Sequence, residues 1–275
     1  MMKVRKVAGA LGAEVTGIDL SRPMDEARLG ELRAAWLEHL VLFFRDQPLT
    51  PAQYMAFAER IGTPVEYPMV KGLADFPKII EVKKLEHERV NFGGIWHTDT
   101  AYLDRPPMAS MLLAREIPPQ GGDTLFANMY AAWDALSEGM RRMLGGLKAV
   151  NSSAKADVSK TREDRIRTDG RGEAPRTFTV EHPVARRHPE TGRIALYVNP
   201  GHTVRFSGMS EDESKPLLDY LFAHQARPEF TCRFTWQPAS IALWDNRCAQ
   251  HNPVNDYHGF KRVMHRITLA GDVPS

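Results

Sequence analysis

The sequence predicts a mainly β fold, a jelly-roll or barrel core with helices packed outside it. Short apolar, β-rich runs are numerous, and turn residues separate them: Pro106-Pro107, Pro118-Pro119, Gly121-Gly122, Pro200-Gly201 and Asn252-Pro253. The helical segments are few and do not alternate with the strands, which argues against a parallel α/β sheet. The 275 residues contain no repeat, low-complexity tract or linker, so one domain over 1–275 is expected.

The elements follow in order. Lys3, Arg5 and Lys6 precede a Gly/Ala-rich stretch, Val7 to Ala13, that faintly mimics a signal peptide. The stretch is short and meets Glu14 at once, so it reads as a first strand and turn. Asp25 to about His39 carries Leu29, Leu32, Trp36 and Leu40 at helical spacing and runs into Val41–Phe44, a buried strand. Thr50-Pro51-Ala52-Gln53 is a capping box with proline at the first helical position, opening a helix that ends near Gly62. Strands are expected at Ile79–Val82, Met108–Leu113 and Thr124–Ala127, then a helical stretch from Ala131 to about Leu147, broken near Ser137. Asn151 to about Pro175 is polar and nearly free of apolar residues. It is either a solvated loop or a mobile lid over a site, bounded at 151–175. Beyond it come a strand at Ile194–Val198 and a second capping box at Ser210–Glu213. That box opens a helix carrying Leu217, Leu218, Leu221 and Phe222, followed by strands at Phe230–Trp236, Ser240–Trp244 and Val263–Leu269.

Composition narrows the function. A formal net charge of +2 gives no reason to expect a nucleic acid or a membrane surface as partner. No apolar run approaches the roughly 20 residues that span a bilayer. Cys232 and Cys248 are too few for a disulfide framework and suit reduced thiols in a cytoplasmic protein. Ten histidines against two cysteines point any metal site toward imidazole and carboxylate ligands.

Trp96-His97-Thr98-Asp99 supplies such ligands. In an extended segment, residues two apart share a side, so His97 and Asp99 can offer a nitrogen and an oxygen to one ion. Alone, a His-x-Asp triplet is weak. Leu243 to His251 then places a histidine just beyond an apolar strand. Two histidines and one carboxylate on one face of an ion form the facial triad of non-haem Fe(II) oxygenases, which leaves positions open for a chelating cosubstrate and dioxygen. Arg262 and Arg266, four apart, face the same way in a strand and could bind anions through paired hydrogen bonds. The same ligands in a jelly roll could hold zinc or nickel for hydrolysis or isomerisation, and Arg262 alone would suit a non-catalytic binding protein.

Taken together, these residues resemble the taurine dioxygenase and 2,4-dichlorophenoxyacetate dioxygenase family of Fe(II)- and 2-oxoglutarate-dependent oxygenases. The motifs span nearly the whole chain: Gly12–Leu20, Leu42–Gln47, Trp96–Asp99, Gly121–Thr124, Trp244–Arg247, His251, Arg262 and Arg266. The resemblance implies a double-stranded β-helix and a reaction that consumes 2-oxoglutarate and dioxygen, hydroxylates a small organic anion and releases succinate and carbon dioxide. It implies His97, Asp99 and His251 as iron ligands, Thr124 and Arg262 as holders of the distal carboxylate of 2-oxoglutarate, and Arg266 as the contact for the substrate's anionic end. Related halogenases lack the carboxylate ligand, so Asp99 argues for hydroxylation. The taurine enzymes carry histidine, asparagine and phenylalanine where this chain has Tyr67, Gly93 and His202. Tyr67 and His202 are therefore expected to line a pocket for a sulfonate, alkyl sulfate or aryloxyalkanoate, with taurine disfavoured. The expected assembly is a homo-oligomer, a dimer or a tetramer.

Overall fold

The structure is a computed structural model and describes residues 1–68, 70–91, 93–155 and 177–275. In chain order its strands are β1 Lys3–Lys6, β2 Ala13–Thr16, β3 Val41–Phe44, β4 Pro64–Val65, β5 Ile79–Lys84, β6 Ala109–Glu116, β7 Thr124–Asn128, β8 Lys148–Ser152, β9 Thr179–Pro183, β10 Ala185–Arg187, β11 Ile194–Leu196, β12 Thr203–Phe206, β13 Thr231–Phe234, β14 Ile241–Asp245, β15 Ala249–Pro253 and β16 Arg262–Leu269. The helices are α1 Glu26–His39, α2 Pro51–Ile61, α3 Met129–Asp134, α4 Glu138–Leu144 and α5 Glu211–Gln225.

A large sheet runs β1-β2-β3-β14-β6-β16-β4, with β5 also paired to β16. A smaller sheet, β13-β7-β15, faces it across the core, and β12-β8-β9 and β10-β11 complete the β structure of the described residues. Both faces of the central strands β3, β6 and β14 are covered, which is why they read as apolar runs. Along β3, Val41 and Phe43 pack toward the smaller sheet, against Phe126 and Phe234, while Leu42 and Phe44 pack against Trp36, Tyr54 and Phe57 of the helices. The same two-residue alternation splits β14: Ala242 and Trp244 face inward, Ile241 and Leu243 outward. On β16, Met264 belongs to the inner cluster and Ile267 and Leu269 to the outer one. Arg262 and Arg266 share the parity of Met264, so the pleat turns both arginines into the roll.

The boxes at Thr50 and Ser210 act where expected, and both close reciprocally. Asp25, read as the first helical residue, instead caps α1 by accepting from the Arg28 N–H. The helical stretch after Asn128 is interrupted, with Ser137 capping its second half. Two further readings need correction. Val7–Gly12 is the loop of a hairpin, and the strands are its two arms, β1 and β2. Asn151 and Ser152 lie in β8, and they and Ser153 are buried, so the polar stretch begins as structure; residues 156–175 of the expected lid lie outside the described residues. His251 follows the apolar strand β14 as expected and sits inside β15, whose sequence, Ala-Gln-His-Asn-Pro, has no apolar pattern. Among the described residues no helix is long and apolar enough to cross a membrane.

Candidate active site

Two distant segments meet to build the site. His97 and His251 form an isolated antiparallel bridge, each backbone N–H donating to the other's carbonyl at 3.0 Å. The bridge sets their rings 4.2 Å apart. Asp99 Oδ1 lies 3.5 Å from His97 Nε2 and 3.8 Å from His251 Nε2. All three side chains are buried, and their ligand atoms fall within 4.8 Å of one another. His97 Nδ1 is 2.7 Å from the Ile95 carbonyl, which can only accept, so Nδ1 carries a proton and Nε2 is the nitrogen turned toward Asp99. The rings of Trp244 and Phe126 flank His251 at 4.7 and 6.2 Å. Two close approaches press on His97: a Cβ on Gly201 would lie 2.8 Å from His97 Cβ, and one on Gly93, at φ +71°, 2.9 Å from His97 Cε1.

The charges suit a cation. Burial alone would raise the Asp99 carboxyl, but Arg266 and the two imidazoles outweigh it and hold the group well below the usual carboxylate range. Burial, reinforced by His97, keeps His251 well below the ordinary imidazole value and therefore neutral. Two imidazoles and one carboxylate, with no thiolate among them, are a donor set for Fe(II).

An anion subsite lies beside it. Arg262 is 5% exposed, and its Nε and Nη2 have no hydrogen-bond partner among the described residues. Its guanidinium lies 5.7 Å from the Trp236 ring and 6.0 Å from that of Tyr257. Trp236 Nε1 donates to Thr124 Oγ1 at 2.9 Å. The Thr124 oxygen is thus engaged as acceptor and its hydroxyl proton is left to donate. A buried guanidinium with two idle donors, joined through Trp236 to an idle hydroxyl, fits a carboxylate such as the distal end of 2-oxoglutarate. Gly121 and Gly122 bring the chain in beside it: a Cβ on Gly122 would lie 3.3 Å from Arg262 Cδ.

Arg266 is placed differently. Its Nη2 is 2.8 Å from Asp99 Oδ2, while its Nε has no hydrogen-bond partner among the described residues. The guanidinium lies 5.1 Å from the Tyr67 ring. Tyr67 is buried, as is His202, whose ring stands perpendicular to those of His97 and Tyr102 at 6.1 and 4.9 Å. His202 Nδ1 has no partner among the described residues, and burial pulls this imidazole down to about 3. His97, Asp99 and His251 thus meet, with Arg266 on Asp99, Tyr67 beside Arg266 and His202 beside His97, while Thr124 and Arg262 meet around Trp236. Tyr102, Trp236 and Ser110 were not expected, and nothing in their sequence surroundings marks them.

A match to the family model described as taurine catabolism dioxygenase TauD, TfdA covers residues 3–268. The chain belongs to this family. Its double-stranded β-helix fold and its dependence on Fe(II), 2-oxoglutarate and dioxygen follow from that membership, and it is a 2-oxoglutarate-dependent dioxygenase. The chain is 37% identical over 280 residues to an alkylsulfatase of Acinetobacter baylyi, covering 99% of this chain and 86% of the relative. It is 36% identical over 281 residues to an alpha-ketoglutarate-dependent sulfate ester dioxygenase of Pseudomonas putida, covering 99% and 91%. A crystal structure of a taurine dioxygenase from Burkholderia xenovorans superposes with a TM-score of 0.84 at 36% identity, covering 99% of this chain and 90% of that one. The zinc or nickel hydrolase and the non-catalytic binding protein are thereby set aside.

A second cluster of potential ligands, His188, Asp245 and Cys248, is structural. Asp245 accepts from Arg247 Nε at 2.8 Å and Nη2 at 2.6 Å, and lies 3.1 Å from His188 Nε2. His188 Nδ1 accepts from the Glu190 and Thr191 N–H groups. With these lone pairs engaged, the cluster pins the turn between β14 and β15, from which His251 follows.

Proposed function

We propose that this single-domain dioxygenase hydroxylates a small organic monoanion, a sulfate ester or sulfonate before an aryloxyalkanoate, and that taurine is a poor substrate. The observation that carries this is Arg266, buried, with one nitrogen on Asp99, an Nε that has no hydrogen-bond partner among the described residues, and its guanidinium beside the Tyr67 ring. A sulfate or sulfonate oxygen would complete that guanidinium. The alkylsulfatase and sulfate ester dioxygenase names of the relatives support the same class. Gly93 provides no side chain for the ammonium of taurine, and an unpaired ammonium in a desolvated pocket costs several kcal/mol.

In this reading His97, Asp99 and His251 hold the iron. Thr124 and Arg262 hold the far carboxylate of 2-oxoglutarate. Arg266, Tyr67 and His202 seat the substrate. Iron with 2-oxoglutarate supplies the oxidising power that hydroxylates a C–H bond with dioxygen, releasing succinate and carbon dioxide. The chain's own part is to orient that C–H bond and exclude water, with the aromatic wall of Tyr67, Tyr102 and His202 against the substrate. Hydroxylation at a carbon bearing a sulfate oxygen would give a product that collapses to a carbonyl compound and sulfate.

A homo-oligomer and a cytoplasmic location belong to the same proposal. Both cysteines are free and buried, as suits a reducing compartment. Sedimentation measures the assembly.

The test of function is a panel of medium-chain alkyl sulfates, alkyl sulfonates, aryloxypropionates and taurine, read by succinate formation coupled to substrate loss. Alkyl sulfates or sulfonates should lead, and Arg266→Ala should raise their KM far more than that of 2-oxoglutarate. Taurine as the best substrate, or unchanged primary-substrate kinetics in Arg266→Ala, would refute the pocket reading.

A further inference from the structure

Behind Asp99 lies a hydrogen-bonded chain whose proton direction can be worked out. Trp244 Nε1 is 2.9 Å from Asn246 Oδ1. An indole N–H only donates, so the Asn246 oxygen must face Trp244 and its amide nitrogen must face the other way. That nitrogen, Nδ2, is 3.0 Å from Ser110 Oγ. The serine oxygen therefore accepts from Asn246, and its single proton is left to point at Asp99 Oδ2, 2.6 Å away. Ser110 and Asn246 are fully buried, so no solvent competes for these bonds. Arg266 Nη2 donates to the same Asp99 oxygen at 2.8 Å and lies 3.4 Å from Ser110 Oγ. Two donors thus converge on Oδ2, while Oδ1 is the oxygen that faces both histidines.

We propose that Ser110, oriented by Asn246 and Trp244, is a positioning residue that fixes Asp99 as a one-oxygen metal ligand through Oδ1. The proposal rests on the reading of His97, Asp99 and His251 as the iron ligands. A carboxylate free to rotate could chelate through both oxygens and take a coordination position that the cosubstrate and dioxygen need. The chain from Trp244 removes that freedom by holding Oδ2 in hydrogen bonds. The strand register supports the role. Ser110 pairs with Thr268 on β16, and Arg266 pairs with Leu112 on β6, so the two donors to Oδ2 come from adjacent, rigidly paired strands. Partners of this kind typically alter metal affinity about ten- to a hundredfold when removed.

The decisive measurement is the dissociation constant for Mn(II), titrated anaerobically into the metal-free enzyme, alongside the melting temperature of that enzyme. Ser110→Ala removes only the hydroxyl. It should weaken Mn(II) about tenfold or more, and the fall should persist after correction for any unfolded fraction. Asn246→Asp keeps the shape but replaces the donor by an acceptor, which would draw the serine proton away from Asp99. It should therefore weaken Mn(II) at least as much as Ser110→Ala. His97→Ala serves as the control for the ligand set. If His97→Ala leaves Mn(II) binding unchanged, the ligand assignment fails. If His97→Ala abolishes binding while folded Ser110→Ala binds Mn(II) like the parent, the positioning role alone is refuted. Should Asn246→Asp fail to fold, Trp244→Phe replaces it, because losing the indole donor frees the Asn246 amide to flip and should give the same direction of change.

Discussion

Replacing Arg262 by methionine should move stability and cosubstrate binding in opposite directions. In the ligand-free enzyme the guanidinium is buried and two of its donors, Nε and Nη2, bond to none of the described residues. Each idle buried donor costs about 1–3 kcal/mol. Contacts with the faces of Trp236 and Tyr257 return about 0.5–2 kcal/mol of that. Methionine keeps the length and apolar stem without the charge, so the metal-free, cosubstrate-free variant should gain about 1–3 kcal/mol. For a chain of this size each kcal/mol is about 2–4 °C of Tm, a rise visible by differential scanning calorimetry. The same change removes a charge-assisted, paired contact with the distal carboxylate, worth about 1.5–3 kcal/mol. Affinity for 2-oxoglutarate should then fall about ten- to a hundredfold. Anaerobic titration of the Fe(II) enzyme, followed by its visible charge-transfer absorption, measures that fall. A variant that melts lower and binds 2-oxoglutarate normally would refute both halves of the argument, and a general loss of fold would depress both readouts together.

Two further outcomes follow from neighbouring contacts. Asp245→Asn should cost about 1.5–3 kcal/mol in urea unfolding, because Arg247, 2% exposed, loses its buried counter-charge and keeps only the half-buried Glu190. Burial opposes ionisation of Asp245, yet Arg247 and His188 prevail and hold its carboxyl at about 2. Its stabilisation is therefore present above the ordinary carboxylate value and lost as pH falls through about 2, and the Asn variant should lack that acid-dependent component. Gly93→Ala should weaken Mn(II) binding about tenfold or more, since the new Cβ would lie 2.9 Å from His97 Cε1 at a backbone angle that disfavours side chains. Metal affinity equal to the parent's would show that the loop yields without moving the imidazole.

What the sequence made legible depended on whether a feature was local. The capping boxes at Thr50 and Ser210 are decided within four residues, and both formed. The central strands of the large sheet, β3, β6 and β14, announced themselves because both of their faces are buried and apolar, whereas the exposed β1 did not. By contrast, β15 is held by pairing with β7 and by the bridge to His97, so its polar sequence carried no strand signal. The ligand types were readable from His97-x-Asp99 and a later histidine. Their meeting was not, because it depends on a bridge between residues 97 and 251 that only the fold supplies. Arg266 shows the same limit. Parity on β16 turned it inward as expected, but its hold on Asp99 belongs to the register between β16 and β6.

The formal charges at the centre give an independent argument about what the pocket takes. Asp99 contributes one negative charge, Arg262 and Arg266 one positive charge each, and burial keeps His251 and His202 neutral. An Fe(II) ion adds two positive charges and 2-oxoglutarate removes two. The loaded site thus retains one positive charge, and it lies where Arg266 meets the pocket, because Arg262 is matched by its own carboxylate. Buried charge without a partner is costly, so a monoanion with no cationic group balances the site. A sulfate monoester or a sulfonate does this. A zwitterion brings its own ammonium into a region that is already positive and has no acidic group besides the metal's ligand among the residues placed there. The preference against taurine therefore follows from the charge of the whole site as well as from the missing side chain at Gly93. It predicts that neutralising Arg266, as in Arg266→Gln, should narrow the gap between alkyl sulfonates and taurine by weakening the sulfonates, while an intact gap would show that shape alone sets the choice.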